Sequence, residues 1–168
     1  LVLSGGGARA SYQVGVLKAV SEILSRPAHN PFPVICGTSA GAINAALLAC
    51  ESDDFAGGVD KLGAIWTGLS SADVHEIGSG AIISSLYGLV RSMFNEGHGD
   101  DRPWSLFNNA PLRELLSRVI RFDRLAERVS DGDVRALAIT ALGYTTGASL
   151  TFFQAGESKG WHRHRRIG

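Results

Sequence analysis

The pattern of apolar and polar positions near the start of the chain predicts two strand–turn–helix units. A short apolar run at residues 1–4 ends at three consecutive glycines, and apolar residues then recur at helical spacing from Val14 to Leu24. A second apolar run, Val34–Cys36, is followed at once by a helical pattern from Ile43 to Ala49. Two such units in close succession are typical of an α/β fold with a parallel sheet.

The middle of the chain has weaker patterns, which predict helices over Asp60–Leu69, Ala81–Phe94 and Leu112–Ile120 and a polar loop over Asn95–Arg102. The third helix has the clearest signals, because Asn109 has the residue type of a helix cap and Pro111 stands in the first turn. A further short helix, capped by Asp123, is predicted as far as Val129.

The last part of the chain predicts an antiparallel pair of strands. Val134–Leu142 is apolar enough for a largely buried strand, and Ser149–Gln154 is rich in residues that favour strands. The segment Tyr144–Gly147 between them has the composition of a hairpin turn. Since there is no internal repeat and no linker, residues 1–168 are interpreted as a single domain.

Composition narrows the function classes only slightly. The 16 Lys and Arg residues balance 16 Asp and Glu residues, so no overall charge favours nucleic acid as a partner. Cys36 and Cys50 stand in no metal-binding pattern, so we predict buried thiols and no metal or other cofactor. No segment approaches the roughly 20 apolar residues of a membrane span. We therefore expect a cytoplasmic or peripheral membrane protein, with secretion left open because the chain starts at Leu1 and not at a methionine.

The first candidate catalytic motif is Gly37–Gly41, which has the pattern Gly-x-Ser-x-Gly with Thr38 and Ala40 at the variable positions. Between a strand and a helix, this pattern predicts a nucleophile elbow. In such a turn Ser39 has a strained backbone, and its hydroxyl is exposed at the helix N-terminus, where the helix dipole favours negative charge. The alternative is an ordinary Gly/Ser turn that caps a helix.

The three glycines Gly5, Gly6 and Gly7 are a candidate oxyanion hole. Backbone N–H groups can stabilise the negative oxygen formed in acyl transfer, and one such donor contributes about 3–4 kcal/mol in known enzymes. Arg9 adds a positive charge nearby. The alternative is a phosphate-binding loop, because the glycine spacing opens like a dinucleotide fingerprint. No acidic residue closes a second strand about 20 residues later, however, and Ser39 stands after that strand instead.

The segments Leu3–Arg9 and Gly37–Gly41, in this order and at this spacing, resemble the opening of bacterial patatin-like phospholipases. The similarity extends through Ser105–Phe107 and Ala110–Leu112 to the strand pair. It implies a three-layer α/β/α fold with a mostly parallel central sheet. It also implies a serine lipid acyl hydrolase of the phospholipase A or lysophospholipase type, whose partner is a lipid or acyl-ester substrate, with peripheral membrane contact as a further expectation.

The resemblance implies a Ser–Asp dyad, with the aspartate in an Asp-Gly-Gly or Asp-Gly-Ala motif. The only Asp-Gly here is Asp131-Gly132, which precedes a predicted strand and is interpreted as a turn. We therefore expect the dyad aspartate beyond residue 168, so that residues 1–168 form an incomplete acyl hydrolase domain and are inactive alone.

Two other functions stay open at this point. A Ser-His-Asp esterase would need a histidine after Ser39, either beyond residue 168 or in the basic cluster that contains His162 and His164. The basic surroundings of these two histidines are more typical of a solvated surface. A non-catalytic lipid-binding module of the same fold also fits a chain without a recognisable base. The segment Ala81–Phe94 could form a flap that meets a membrane, but core packing is the favoured interpretation.

Overall fold

The computed structural model of the chain describes residues 1–70, 116–117, 119–143 and 146–156. Its strands and helices, in chain order, are β1 (Val2–Leu3), α1 (Ala10–Ile23), β2 (Val34–Thr38), α2 (Ala40–Cys50), α3 (Phe55–Ser70), α4 (Leu125–Asp131), β3 (Ala136–Leu142) and β4 (Ser149–Ala155). Single 3-10 turns, Gly7–Arg9 and Phe122–Arg124, lead into α1 and α4.

The four strands form one sheet in the order β1-β2-β3-β4. The first three are parallel, with Leu3 paired to Gly37 and Gly37 paired to Ile139, and β4 runs antiparallel to β3. The predicted α/β fold with a mostly parallel sheet and a terminal hairpin is therefore confirmed. Because parallel strands end at one edge of a sheet, the segments after β1 and β2 emerge side by side.

Helix α2 forms the centre of the described core. Every residue from Asn44 to Cys50 is buried, and α2 packs on β2 and β3. A helix that is apolar on all sides belongs in a protein interior. Helix α3 packs against α1 and α2, and its first residue, Phe55, contacts the ring of Phe32 edge-on at 5.8 Å between ring centroids.

Two predicted helix starts differ from the structure. Helix α3 begins at Phe55 and not at Asp60, because the Asp54 carboxylate accepts the N–H of Gly57 at 2.9 Å and so caps the helix. The prediction that Asp123 caps α4 is wrong. Asp123 lies inside the preceding 3-10 turn, and its carboxylate accepts a hydrogen bond from Arg121 at 3.0 Å.

Burial also differs from expectation in two places. The strand predicted from Val134 begins at Ala136 and is buried only at its start, since Leu142 at its end is 71% exposed. Cys50 is buried, which raises the pKa of its thiol to about 12, but Cys36 is only half-buried. The prediction of two buried thiols is therefore wrong for Cys36.

Several predicted segments fall outside the described residues. These are the helix Ala81–Phe94, the loop Asn95–Arg102, the cap Asn109 and the segment Ser105–Phe107. The predicted helix Leu112–Ile120 is described only from residue 116, where the N–H of Ile120 donates to the Leu116 carbonyl as in a helix. Within the described part of the chain, no helix combines the length and the hydropathy that crossing a membrane requires.

Candidate active site

Ser39 is the single residue between the end of β2 and the start of α2. Its backbone angles are φ 54° and ψ −127°, a conformation that a residue with a side chain adopts only under strain. The side chain is exposed and makes no hydrogen bond that caps α2. The sharp turn predicted for Ser39 is thus confirmed, and the alternative of a serine whose hydroxyl caps the helix does not describe it.

The two glycines of the motif allow three backbone segments to meet at this turn. A Cβ on Gly37 would lie 2.6 Å from the Ala42 Cα and from the Gly41 carbonyl oxygen, both in α2. A Cβ on Gly41 would lie 2.2 Å from the Leu3 carbonyl oxygen and 2.5 Å from that of Ser4. Real Cβ atoms do not make such contacts, so any side chain at either position would push α2 off the strands.

The glycine loop lies directly beside Ser39. A Cβ on Gly5 would be 3.1 Å from the Ser39 Cβ and 3.9 Å from its Oγ. Gly7 has φ 50°, in the left-handed region that favours glycine, where the chain turns into α1. The serine and the loop therefore meet at the edge of the sheet where β1 and β2 end, as the two motifs predicted.

Arg9 follows shortly after this loop. It ends the 3-10 turn Gly7–Arg9, its N–H donates to the Gly6 carbonyl at 3.0 Å, and its side chain is exposed. A Cβ on Gly6 would lie 3.3 Å from the Arg9 Cβ. The Arg9 side chain is thus attached next to the loop, whose Gly5 lies beside Ser39 and carries no side chain.

The acidic residues around α4 lie at the opposite edge of the sheet from Ser39. Val34, which opens β2, pairs with Ala136, which opens β3, and Asp131 and Asp133 precede β3. Because β2 is five residues long and a strand rises about 3.3 Å per residue, the start of β2, and with it the start of β3, lies roughly 15 Å along the strand from the serine. Asp131 ends α4, Gly132 follows with φ 85°, and the predicted turn is confirmed.

His29 belongs to the same distant edge. Its Nδ1 lies 3.6 Å from the Asp133 carboxylate, and its side chain is 84% exposed. His75, His98, His162 and His164 lie outside the described residues. In the described ranges, no three His, Cys, Asp or Glu side chains are placed to hold a metal ion together.

A hydrogen-bonded chain behind the glycine loop was not predicted from the sequence. Asn44 in α2 is fully buried, accepts from the Trp66 indole N–H at 2.8 Å, and donates to the Ala10 carbonyl at 3.1 Å and to the Gln13 side chain at 3.2 Å. The Gln13 amide in turn donates to the Ser4 carbonyl at 2.8 Å. The one sequence signal was an amide residue in the otherwise apolar run of α2.

A cluster of ion pairs fixes the far end of α2. The buried Glu51 carboxylate accepts from Lys61 at 2.6 Å and from Arg124 at 3.0 Å, and Asp53 contacts both Arg124 and Arg128. Asp53 thus joins the segment after α2 to α4. This cluster stands at the other end of α2 from Ser39, so its role is to hold the helices together.

Comparison with known proteins agrees with this geometry. Residues 1–161 match the family model described as Patatin-like phospholipase. A cUMP-AMP-activated phospholipase of Escherichia coli is 33% identical over 101 residues, which are 60% of this chain and 30% of that protein. No solved structure gives a significant match.

Two further relatives match shorter segments. The Lysophospholipase nte1 of Aspergillus terreus is 44% identical over 75 residues, which are 39% of this chain and 4% of that protein. A cGAMP-activated phospholipase of Pseudomonas aeruginosa is 49% identical over 51 residues, which are 30% of this chain and 15% of that protein. The chain therefore aligns with less than a third of the length of each of these three relatives.

Proposed function

The chain belongs to the patatin-like phospholipase family, and on this premise we propose that it is a serine lipid acyl hydrolase with Ser39 as nucleophile. The fold is accordingly a three-layer α/β/α fold with a mostly parallel sheet. The observation that carries the proposal is the strained, exposed Ser39 beside the glycine loop.

In the proposed reaction, the Ser39 Oγ attacks the acyl carbonyl of a lipid ester and gives its proton to a base. The ester C–O bond then breaks, the alcohol leaves with a proton, and an acyl-enzyme remains until water hydrolyses it. The negative oxygen of each tetrahedral intermediate is stabilised by N–H groups of Gly5, Gly6 and Gly7, with Arg9 adding positive charge. The N-terminus of α2, directly behind Ser39, favours the same negative charge.

We propose that the base is an aspartate, as the family resemblance implies, and that it comes from a part of the gene product other than the described residues. Asp131 and Asp133 are unsuited to the role because both precede β3, at the opposite edge of the sheet from Ser39. An Asp-Gly-Gly or Asp-Gly-Ala motif in the remaining gene sequence is the specific expectation.

The substrate is proposed to be a phospholipid or a lysophospholipid. One relative is named a lysophospholipase, and two others are named for activation by cUMP-AMP and by cGAMP. Both lipid classes belong in the assay, presented as vesicles or micelles. Each assay is run with and without these two nucleotides, so that a requirement for an activator is not mistaken for a lack of activity.

The test is fatty acid release by the complete gene product and by its Ser39→Ala variant. The matched control is Ser130→Ala, an exposed serine of α4 at the distant edge of the sheet. We expect Ser39→Ala to lose all measurable turnover and Ser130→Ala to keep it. Wild-type turnover by Ser39→Ala would overturn the proposal, and lipid binding without turnover by the wild type would indicate a non-catalytic lipid-binding module instead.

A further inference from the structure

The hydrogen-bonded chain from α3 to the glycine loop, which we call the Asn44 network, consists of Trp66, Asn44, Gln13 and the Ser4 carbonyl. It joins three helices to the first peptide unit of the loop. A fully buried amide such as that of Asn44 is tolerated only when its polar atoms are hydrogen-bonded, and here the oxygen and the nitrogen are both used.

The direction of every hydrogen bond in this network follows from Trp66. An indole N–H can only donate, so the group that faces it must be the Asn44 oxygen. The Asn44 nitrogen then faces Gln13 and requires an acceptor, which is the Gln13 oxygen. The Gln13 nitrogen is left to donate to the Ser4 carbonyl. The network thus presents a donor, and never an acceptor, to the start of the loop.

The Ser4 carbonyl belongs to the same peptide unit as the Gly5 N–H. In a trans peptide these two groups point in opposite directions, so a donor that holds the carbonyl also sets the direction of the N–H. The Ser4 carbonyl oxygen is also close to α2, because it lies 2.5 Å from the place that a Cβ on Gly41 would occupy. The peptide unit is therefore held between the Gln13 side chain and the backbone of α2.

We propose that Gln13 is a positioning residue, which orients the Ser4–Gly5 peptide unit so that the glycine loop meets the reacting oxygen in the required geometry. Asn44 and Trp66 act through Gln13, because they fix which end of its amide faces Ser4. This proposal rests on the proposed function, since it assigns the loop to the oxyanion. Gln13 acts through the Ser4 carbonyl and is not a catalytic residue.

Two variants of Gln13 separate the effect of its hydrogen-bond donor from the effect of its side-chain size. Gln13→Met keeps the length of the side chain and removes both hydrogen bonds, whereas Gln13→Glu keeps the acceptor for Asn44 and places a carboxylate against the Ser4 carbonyl. We expect both to lower kcat about 10-fold with little change in KM, less than the 10²–10³-fold lost when an oxyanion donor itself is removed. The matched control is Lys18→Met, on an exposed position of α1.

Two readouts distinguish positioning from general stability. Binding of a trifluoromethyl ketone, which forms a tetrahedral oxyanion on a serine, should weaken by the same factor as kcat. Amide hydrogen exchange of residues 4–9 should rise in Gln13→Met while that of α2 stays at the wild-type value. The exchange measurement requires no enzymatic activity. It therefore tests whether the Asn44 network orders the glycine loop even if the complete gene product proves not to be a hydrolase.

The proposal is overturned if Gln13→Met keeps wild-type kcat and wild-type exchange in the loop. It is also overturned if Lys18→Met shows the same loss, or if exchange rises uniformly over the chain, because either result means that Gln13 only stabilises the fold. Absence of Ser39-dependent turnover in the wild type, together with loop exchange that responds to Gln13→Met, would refute the proposed function and retain the network.

Discussion

Around Ser39, the backbone segments pack so closely that no side chain fits between them. The β3–β4 hairpin, in contrast, has large apolar side chains that are exposed to solvent. Gly37 and Gly41 leave no room for a Cβ, and Leu3 and Ile35 of the adjacent strands are buried. In the hairpin, Leu142 is 71% exposed and Phe152 is 64% exposed. We call the first region the elbow region (residues 1–50). The close approach of its backbone segments depends on glycines, which have no side chain. The hairpin owes its described geometry to pairing between strands.

The largest effect that this comparison predicts is that of Gly41→Ala. The new Cβ would overlap the Leu3 and Ser4 carbonyl oxygens, so we expect the free energy of unfolding to fall by about 3 kcal/mol or more, at the upper end of overpacking effects. The matched control is Gly15→Ala in α1, where a Cβ meets nothing within 4 Å. That change should stabilise the protein by about 0.5–1 kcal/mol, because alanine favours helix.

The free energy of unfolding of both glycine variants is measured by urea unfolding of the complete gene product, monitored by a signal from this domain. A Gly41→Ala protein as stable as Gly15→Ala would contradict the tight approach of α2 to β1. Turnover measured on the same samples should fall with Gly41→Ala even in the fraction that stays folded, because the displaced Ser4 carbonyl moves the glycine loop.

An effect of intermediate size is expected from the comparison of a buried strand position with an exposed one, measured as the loss of free energy of unfolding. Ile35→Thr in β2 places a hydroxyl in a fully buried site, which should cost about 2 kcal/mol or more. Leu142→Thr at the exposed end of β3 should change stability by no more than about 0.5 kcal/mol. Equal losses from the two variants would mean that the end of β3 is packed in the complete protein.

The smallest effect concerns the outer surface of the elbow region. Arg26 of the segment after α1 binds Asp60 of α3 at 2.6 Å, and this hydrogen bond lowers the pKa of the Asp60 carboxyl. A lowered pKa contributes stability above the carboxyl's usual pKa of about 4, and that contribution is lost as the pH falls through the lowered value.

Both partners are highly solvent-accessible, so Asp60→Asn should shift the urea midpoint only slightly at neutral pH. The difference from the wild type should disappear in strongly acidic solution, where the carboxyl is protonated in both states. A large shift at neutral pH, or one that persists in acid, would show that Asp60 acts through packing and not through its charge.

The parts of the site that were predicted from sequence are those fixed by local backbone geometry and by the rule that parallel strands end at one edge of a sheet. The spacing of Gly37, Ser39 and Gly41 specifies a turn whose shape depends on neighbours within a few residues. The Asn44 network was missed because its members, Gln13, Asn44 and Trp66, are 31 and 22 positions apart, and no spacing rule joins them. The polar Asn44 within an apolar helix showed only that a buried partner was needed.

Helix caps and strand burial were also beyond the sequence patterns. Asp54 and Asp123 both have the residue type of a helix cap, and only contacts decide that Asp54 caps α3 while Asp123 pairs with Arg121. Likewise, Ala136 and Leu142 are apolar residues of one strand, yet only the first is buried. Which end of a strand is covered depends on the helices packed on it, and that is a tertiary property.

The most direct test of the central claim is covalent labelling of the complete gene product with a fluorophosphonate, followed by mass spectrometry of the labelled peptide. A fluorophosphonate reacts with a serine whose hydroxyl is activated and whose oxyanion is stabilised, so it reports the proposed machinery in one step. The predicted result is one adduct, on Ser39, that is absent from the Ser39→Ala variant and present in Ser130→Ala. Full labelling of the Ser39→Ala variant, or an adduct located on another serine of the wild type, would contradict the assignment of Ser39 as the nucleophile.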